Sequence, residues 1–262
     1  MDAASRKPDF LALPPRPSKP RTTGVSHVID RGLTAAATGA TLDAVAQSID
    51  IWKFGWGTSY LDTQLDQKLE LLRASSVLSC TGGTLIEIAW VQERTDEFFD
   101  WVADVGIDCV EVSNGATGLP ASAKHELMAS ALERGLIVLS EVGSKDPSVP
   151  VNAEEWAEEI EADLAAGARW VVAEGRESGT VGLYNADGTI RQDIVDTIES
   201  RVDRDRIIYE APHRAQQAAH ISRVGPLVNL GNIAPSEVLA VETLRVGLRT
   251  DTLGLSTTVR TS

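Results

Sequence analysis

Short apolar runs that end in a charged residue and then a glycine recur along this chain, and they constrain its fold more than any other feature. Examples are Ile29-Asp30-Arg31-Gly32, Ile51-Trp52-Lys53-Phe54-Gly55, Val110-Glu111-Val112-Ser113-Asn114-Gly115, Ser140-Glu141-Val142-Gly143 and Val172-Ala173-Glu174-Gly175. Runs of Val and Ile without polar alternation are typical of parallel strands buried on both faces. Between the runs, apolar residues recur with helical spacing, which predicts strands alternating with helices.

The pattern predicts eight strands and the helices between them. The strands lie near residues 25–30, 49–54, 76–80, 107–113, 136–142, 169–174, 206–210 and 226–230. The clearest helical patterns lie near 61–74, 95–105, 120–134, 153–166, 190–200, 213–223 and 235–247, and Thr and Gly interrupt a weaker one at 33–48. This rhythm favours an α/β fold with a single (β/α)8 TIM barrel. A doubly wound open sheet is the alternative, but no Gly-x-Gly-x-x-Gly or Walker-type motif is present.

Three segments are predicted: a Pro-rich arm at 1–23, the barrel at 24–254 and a C-terminal tail at 255–262. The arm holds five of the eleven prolines and an excess of basic residues. Proline-rich sequence is typical of chain without regular structure. A basic arm on an acidic body packs on its own barrel or on a neighbouring subunit, and a plain disordered tail is an equal alternative.

Composition excludes several classes of function. The formal net charge of −14 and the pI near 4.7 argue against nucleic-acid binding, which needs a basic face. No signal peptide and no apolar stretch near the length of a membrane span can be recognised, so we expect a cytoplasmic protein without a membrane partner. Cys80 and Cys109 lie in apolar runs and are predicted to be buried free thiols.

Charged and amide side chains at predicted strand ends form a candidate site, because the C-terminal ends of barrel strands face one pocket. The rule collects Asp30, Lys53, Glu87, Glu111, Glu141, Lys145, Glu174, Arg176, Glu210, Asn229, Asn232 and Arg249. Carboxylates without histidine suit a hard cation such as Mg²⁺. Lys and Arg beside them suit an anionic substrate.

Two lysines fall at strand ends and are candidate catalytic residues. Lys53 stands inside an apolar run, where a charge is unfavourable unless it is paired or faces a charged ligand. Lys145 follows Gly143, which lets the chain turn so that the lysine can reach over the barrel mouth; a solvent-exposed loop lysine is the alternative. Lys68 and Lys124 fall in amphipathic helical patterns and are predicted to be solvated.

Two loops offer groups for binding a phosphate. In Glu174-Gly175-Arg176-Glu177-Ser178-Gly179, Arg176 supplies a bidentate cation, Ser178 a hydroxyl and Gly179 a backbone N–H. A structural Arg–Glu pair in an ordinary loop is the alternative. Asn229 and Asn232 are predicted to end strand eight, near the usual phosphate site of barrels, although Asn and Gly are also common in turns.

Several of these motifs together resemble the phosphosulfolactate synthase family. They are Lys53-Phe54-Gly55-Trp56-Gly57-Thr58-Ser59, Gly82-Gly83-Thr84-Leu85, Glu141-Val142-Gly143, Glu174-Gly175-Arg176-Glu177-Ser178-Gly179, Glu210-Ala211-Pro212, Gln216-Gln217, Val228-Asn229-Leu230 and Leu248-Arg249-Thr250-Asp251-Thr252. The likeness runs from about residue 24 to 254, and the motifs are long and in order.

The resemblance implies a (β/α)8 barrel that adds sulfite to phosphoenolpyruvate with Mg²⁺, giving (2R)-2-phospho-3-sulfolactate, as in coenzyme M and other sulfonate synthesis. It implies that Lys145 is the proton donor, that Lys53 and Arg176 hold substrate anions, and that Glu111, Glu141 and Glu174 bind the metal. It also suggests a small homo-oligomer.

The sequence departs from the family pattern at a few positions, which leaves the nucleophile open. Asn114 stands where aspartate is expected, and Ser144 replaces a lysine before Lys145. Two alternatives therefore remain: a barrel lyase that adds another nucleophile to phosphoenolpyruvate or a similar phosphorylated acid, and a catalytically silent stress-associated relative.

Overall fold

Eight parallel strands close into a barrel. The computed structural model describes residues 10–144, 151–176 and 178–257. The strands are β1 Ser26–Asp30, β2 Ile51–Phe54, β3 Leu78–Thr81, β4 Cys109–Val112, β5 Ile137–Val142, β6 Trp170–Ala173, β7 Ile207–Glu210 and β8 Leu230–Ile233. Each pairs with the next in chain order, and β8 pairs with β1. The predicted TIM barrel is confirmed.

Helices surround the barrel. They are α1 Ala35–Val45, α2 Thr58–Leu61, α3 Leu65–Ala74, α4 Gly83–Val91, α5 Thr95–Val105, α6 Ala121–Glu133, α7 Ala153–Ala165, α8 Gln192–Arg201, α9 Arg214–Val224, α10 Val238–Arg245 and α11 Gly254–Thr257. Asn152 caps α7 by accepting from the backbone N–H groups of Glu154 and Glu155. Within the described residues, no helix is both long and apolar enough to span a membrane.

Strand alternation separates two apolar layers. Outward residues such as Val28 and Trp52 pack in the layer between strands and helices. Inward residues form a smaller cluster that fills the barrel: Val25, Ile51, Cys80, Cys109, Leu139, Trp170, Val172 and Ile208. Cys80 and Cys109 are buried free thiols, as predicted. Apart from the buried His27, which lies level with Ile51, the polar inward side chains gather at the C-terminal end of the barrel.

The last strand begins later than its apolar pattern suggests. It was predicted at 226–230, yet β8 starts at Leu230. The pairing of β1 with β8 shifts register between Ser26 and Val28, which is the signature of a bulge. The extra residue lies within β8 and shifts the residues after Leu230 along the barrel, which a run of apolar letters does not reveal.

Lys68 and Lys124 were predicted to be solvated, and that prediction is wrong. Both side chains are fully buried against the outer faces of the strands. Lys68 pairs with Asp30 and Asp62 at 2.9 and 2.6 Å. The apolar periodicity of a helix does not distinguish a buried lysine from a solvated one. The carboxylates that pair with the buried lysine lie far away in the sequence.

Residues 10–23 carry no helix or strand, and their cations lie against the N-terminal end of the barrel. Arg16 pairs with Glu242 at 2.9 Å, and Arg21 pairs with Asp50 at 3.0 Å. The Lys19 ammonium donates to the Ala46 carbonyl. Residues 10–23 therefore pack on their own barrel, which is one of the arrangements expected for a basic arm.

Candidate active site

A small polar cavity lies where the C-terminal ends of the strands meet. Its volume is about 190 Å³. Its lining consists of Ile29, Lys53, Trp56, Gly83, Thr84, Glu111, Glu141, Glu174, Arg176, Glu210 and Asn232. Drug-sized ligands occupy cavities of about 300–1,000 Å³, so this one suits a smaller molecule. The strand ends thus bring together seven of the residues collected from the sequence: Lys53, Glu111, Glu141, Glu174, Arg176, Glu210 and Asn232.

Lys53 on β2 is the central cation. Its ammonium lies 3.0 Å from Glu111 on β4 and 3.3 Å from Glu210 on β7. Burial on its own lowers the pKa of Lys53, but the negative charges of Glu111, Glu210 and Glu141 outweigh burial and raise this pKa well above the ordinary value. Lys53 therefore remains a cation at every ordinary pH, which suits it to hold an anion rather than to accept a proton.

Glu210 and Glu174 are fixed by the loop that follows β6. Glu210 accepts hydrogen bonds from the backbone N–H groups of Gly175 and Arg176 at 3.0 and 3.1 Å. The Arg176 N–H also donates to Glu174 at 2.6 Å. No side chain fits at Gly175, because a Cβ there would lie 2.6 Å from the Tyr184 ring. The glycine in this motif thus allows the backbone to contact the carboxylates.

Glu111 is held from the opposite side by the start of α4. The Gly83 N–H donates to Glu111 at 3.0 Å. Gly82 and Gly83 are crowded by Trp56 and Ser113, so neither position accepts a Cβ without movement. The helix α4 was not predicted, and its first turn directs the positive end of a helix dipole at the cavity.

Three cavity residues adopt left-handed backbone conformations. Trp56, Arg176 and Asn232 have φ values of 54°, 54° and 53°. Such conformations are unfavourable for residues with a side chain, and they cluster at functional sites. Asn232 is 4 % exposed, and its Oδ1 accepts no hydrogen bond from the described residues. A buried acceptor without a partner at a cavity is a candidate ligand-binding atom.

Asn229 does not belong to this cavity, and its predicted place at the end of strand eight is wrong. It precedes β8, at the N-terminal end of the barrel. Its Oδ1 accepts from the Val25 N–H, and its amide donates to the carbonyls of Asp205 and Ile207. Three hydrogen bonds to backbone make Asn229 a residue that ties strands together.

Ser178 and Gly179 lie beside the cavity without lining it. The Ser178 carbonyl is 2.9 Å from a ring nitrogen of His213, and the Gly179 carbonyl accepts from the Gln216 amide at 2.7 Å. These contacts dock the loop after β6 on the start of α9. Lys145 lies outside the described residues.

Two other residues collected from strand ends serve neighbouring loops. Asp30 accepts from the N–H groups of Gly32 and Leu33 and from the Trp52 indole. Glu87 accepts from the N–H groups of Ala116 and Thr117. Neither lines the cavity.

A layer behind β7 supports Glu210 and was missed in the sequence. The Tyr184 hydroxyl donates to the Glu210 carbonyl and lies 3.1 Å from His220, whose ring stacks on Tyr209. Burial is the main cause that lowers the pKa of His220 to about 3, so this histidine is neutral. No spacing in the sequence links Tyr184, in an irregular loop, to a histidine on a later helix.

The cavity thus combines four carboxylates, a buried lysine and an arginine at the C-terminal end of a barrel. Residues 14–251 match the (2R)-phospho-3-sulfolactate synthase (ComA) family. The chain belongs to the phosphosulfolactate synthase family.

Curated members of the phosphosulfolactate synthase family are similar over nearly their whole length. The phosphosulfolactate synthase of Methanothermobacter thermautotrophicus is 41 % identical over 251 residues, covering 94 % of this chain and 97 % of that protein. That of Bacillus subtilis is also 41 % identical, covering 94 % and 99 %. That of Methanocaldococcus jannaschii is 36 % identical over 236 residues, covering 88 % and 94 %.

Solved structures outside the phosphosulfolactate synthase family share the fold alone. 3-Hexulose-6-phosphate synthase from Salmonella typhimurium aligns with a TM-score of 0.54 at 14 % identity, covering 90 % of this chain and 96 % of that one. The YdjI aldolase from Escherichia coli K12 aligns with a TM-score of 0.53 at 13 % identity, covering 91 % of each. Identities this low carry no information about substrate.

Proposed function

We propose that this protein is a phosphosulfolactate synthase, which adds sulfite to C3 of phosphoenolpyruvate to give (2R)-2-phospho-3-sulfolactate. The observation that carries the proposal is the clamped cation Lys53, buried between Glu111 and Glu210 at the floor of a small cavity in a chain 41 % identical to enzymes of that name. The size of the cavity suits a small phosphorylated acid.

The reaction requires charge stabilisation more than a strong base. The sulfur lone pair of sulfite forms a C–S bond to the methylene carbon, and the C=C electron pair moves towards C2 and the carboxylate. C2 then accepts a proton, and the phosphate ester stays intact. Preorganised positive groups lower the barrier to such a step because negative charge develops on the carboxylate.

Lys53 is proposed to bind the carboxylate on which this charge develops. It is 3 % exposed and permanently charged, so its field acts in a site with little water. Glu111 and Glu210 hold the ammonium in place and keep its pKa high. In this role Lys53 does not transfer a proton, and its protonation state is the same before and after the addition.

The cavity carboxylates also offer the oxygen ligands that suit the Mg²⁺ expected for this reaction, although their positions do not form a complete metal site. The described residues contain no group of three His, Cys, Asp or Glu side chains placed to hold a metal. Mg²⁺ is commonly bound by one or two carboxylates while it keeps several waters. Glu111, Glu141 and Glu174 line the cavity together and are the residues that would hold the ion. When bound, the ion would supply Lewis-acid stabilisation of the substrate carboxylate.

Arg176 and the side-chain N–H groups of Asn232 are proposed to donate to the remaining anionic groups of the substrates. Arg176 is exposed at the cavity mouth, and the Asn232 amide is buried in its wall. The loop that carries Ser178 and Gly179 supports Arg176. Lys145 as proton donor rests on family resemblance, and so does the homo-oligomer.

Phosphorus NMR of the protein with phosphoenolpyruvate, sulfite and Mg²⁺ tests the proposal. We expect a new phosphate-ester signal that requires sulfite, with more than 100-fold slower formation in Lys53→Met, since removing a preorganised charge contact costs roughly 10²–10³ in rate. Arg94→Met, which removes an exposed cation outside the cavity lining, is the control for lost charge. An unchanged phosphoenolpyruvate signal from folded wild-type protein would overturn the proposal.

A further inference from the structure

A second cavity lies at the opposite, N-terminal end of the barrel. Its volume is about 720 Å³, several times that of the candidate active site. Its floor is formed by the first residues of four strands, Ile51, Leu78, Ile137 and Trp170. Its rim carries four cations and two carboxylates: Lys19, Arg21, Arg73, Arg169, Asp50 and Asp108. A positive rim is unexpected in a chain whose net charge is −14.

Three of these cations form no ion pair with a carboxylate of the described residues. Arg21 is neutralised by Asp50 at 3.0 Å. Lys19, Arg73 and Arg169 take part in none of the ion pairs formed between described residues, although the chain has many more acidic than basic side chains. Asp108 accepts hydrogen bonds from the backbone and side chain of Ser79.

Each of the three cations is nevertheless held in place. The Lys19 ammonium donates to the carbonyls of Ala46 and Ser75 at 3.1 and 3.3 Å, which leaves one of its three N–H groups. The Arg169 guanidinium lies over the Trp170 ring, 4.6 Å from its centre. Arg73 donates to the Gly106 carbonyl at 3.4 Å. Positioned cations lose less side-chain entropy on binding than free surface lysines do.

We infer that this basic cavity, lined by Lys19, Arg73 and Arg169 above an apolar floor, binds a polyvalent oxyanion, a small molecule that carries two or more phosphate or carboxylate groups. Three separate cations around one opening suit a ligand with several anionic groups better than a ligand with a single anionic group. Burial is the main cause that lowers the pKa of Lys19, and a bound anion would offset that effect. The cavity is distinct from the candidate active site because the filled barrel interior lies between them.

Calorimetric titration with inorganic pyrophosphate, without Mg²⁺ and at low salt, tests the inference. We expect binding to the wild type and at least tenfold weaker binding to Arg73→Gln/Arg169→Gln. The matched control is Arg94→Gln/Arg191→Gln, which removes the same charge from arginines outside this cavity. Its affinity should stay within twofold of the wild type.

A second comparison separates this cavity from the proposed active site. Arg176→Gln should leave pyrophosphate binding unchanged, and Arg73→Gln/Arg169→Gln should leave the rate of phosphoenolpyruvate consumption unchanged. The inference is overturned if the wild type does not bind pyrophosphate, if the control pair weakens binding equally, or if Arg176→Gln abolishes binding. These outcomes do not depend on whether sulfite is the nucleophile, since the titration contains neither substrate.

Discussion

At the scale of single residues, Asn232 joins an unfavourable backbone to a buried amide at the cavity wall. A left-handed residue with a side chain costs of order 1–3 kcal/mol, at the lower end for asparagine. Asn232→Gly removes both the strain and the amide. We therefore expect the free energy of unfolding to change by less than about 1 kcal/mol. Turnover should fall at least tenfold, because the loss of a hydrogen bond to a charged group is worth about 1.5–3 kcal/mol.

Glu93 provides the matched control for this substitution. It has a φ of 55°, it is exposed, and it does not line the cavity. Glu93→Gly should relieve the same kind of strain with no effect on turnover. Urea unfolding and phosphoenolpyruvate consumption measure the two quantities. Full activity in Asn232→Gly would show that its amide does not bind substrate.

Lys124 contacts the backbone of β5 at Glu141, which lines the cavity. Its ammonium donates to the Glu141 carbonyl at 2.9 Å and to Asp163 at 2.7 Å, and the Ser140 hydroxyl also donates to Asp163. Lys124→Met leaves Asp163 as a buried charge without its lysine, which should lower the free energy of unfolding by about 3–5 kcal/mol.

The double variant Lys124→Met/Asp163→Asn separates stability from positioning. It removes both charges, so we expect much of the lost stability to return. We expect kcat to remain below that of the wild type, because the Glu141 carbonyl still lacks the donor that fixes this strand end. Urea unfolding and steady-state kinetics measure both effects. If the double variant regains wild-type kcat, then Lys124 serves stability alone.

The sequence predicts which charged residues face the barrel interior, but it does not predict which charged residues are buried between the helices and the barrel. Alternation along a strand places Lys53, Glu111 and Glu141 on the inner face, so local spacing is enough. Lys68 and Lys124 lie on helices, where their burial depends on Asp30 and Asp163, tens of residues away. Ion pairs between distant segments arise only when the fold is complete.

At the scale of elements, strand existence was predictable and register was not. Eight apolar runs mark eight strands, but β8 begins only at Leu230, so Asn229 precedes the strand and Asn232, beyond the register shift with β1, reaches the cavity. The helix α4 was missed since Gly82 and Gly83 indicate a turn. Both glycines are instead required by the close approach of Trp56 and Ser113.

The loop that leaves β5 depends on a crowded glycine. Gly143 has a φ of 127°, and a Cβ there would lie 2.5 Å from the Trp156 ring and 2.6 Å from the Glu174 side chain. Gly143→Ala should displace Glu174, and turnover should fall more than tenfold. Gly32→Ala is the matched control, since Gly32 has a φ of 115° but open space around its Cβ position.

Alanine is strained by a similar amount at the two positive φ values, so the difference in turnover between the variants reports the crowding around Gly143. Thermal unfolding measures the shared destabilisation, and steady-state kinetics measures the loss in turnover. Equal turnover in the two variants would mean that displacement of Glu174 does not matter for the reaction.

At the scale of the whole molecule, two buried histidines link folding to pH. Burial, and then the charge of Lys53, lower the pKa of His27 well below its ordinary value, and burial lowers that of His220 to about 3. In the unfolded chain both titrate near 6.5. As the pH falls below about 6.5, both histidines become protonated in the unfolded state but not in the folded state, so the free energy of unfolding decreases.

His220→Phe removes one of these two proton acceptors and keeps an aromatic ring against Tyr209. Between about pH 6 and pH 4.5 each histidine contributes a slope of about 1.4 kcal/mol per pH unit. We expect the free energy of unfolding to fall less steeply in the variant by that amount, measured by urea unfolding at each pH. At about pH 8 both histidines are neutral in either state, so any difference there reports packing alone. Parallel pH profiles would mean that His220 becomes protonated in the folded protein, and the layer behind Glu210 would then be open to water.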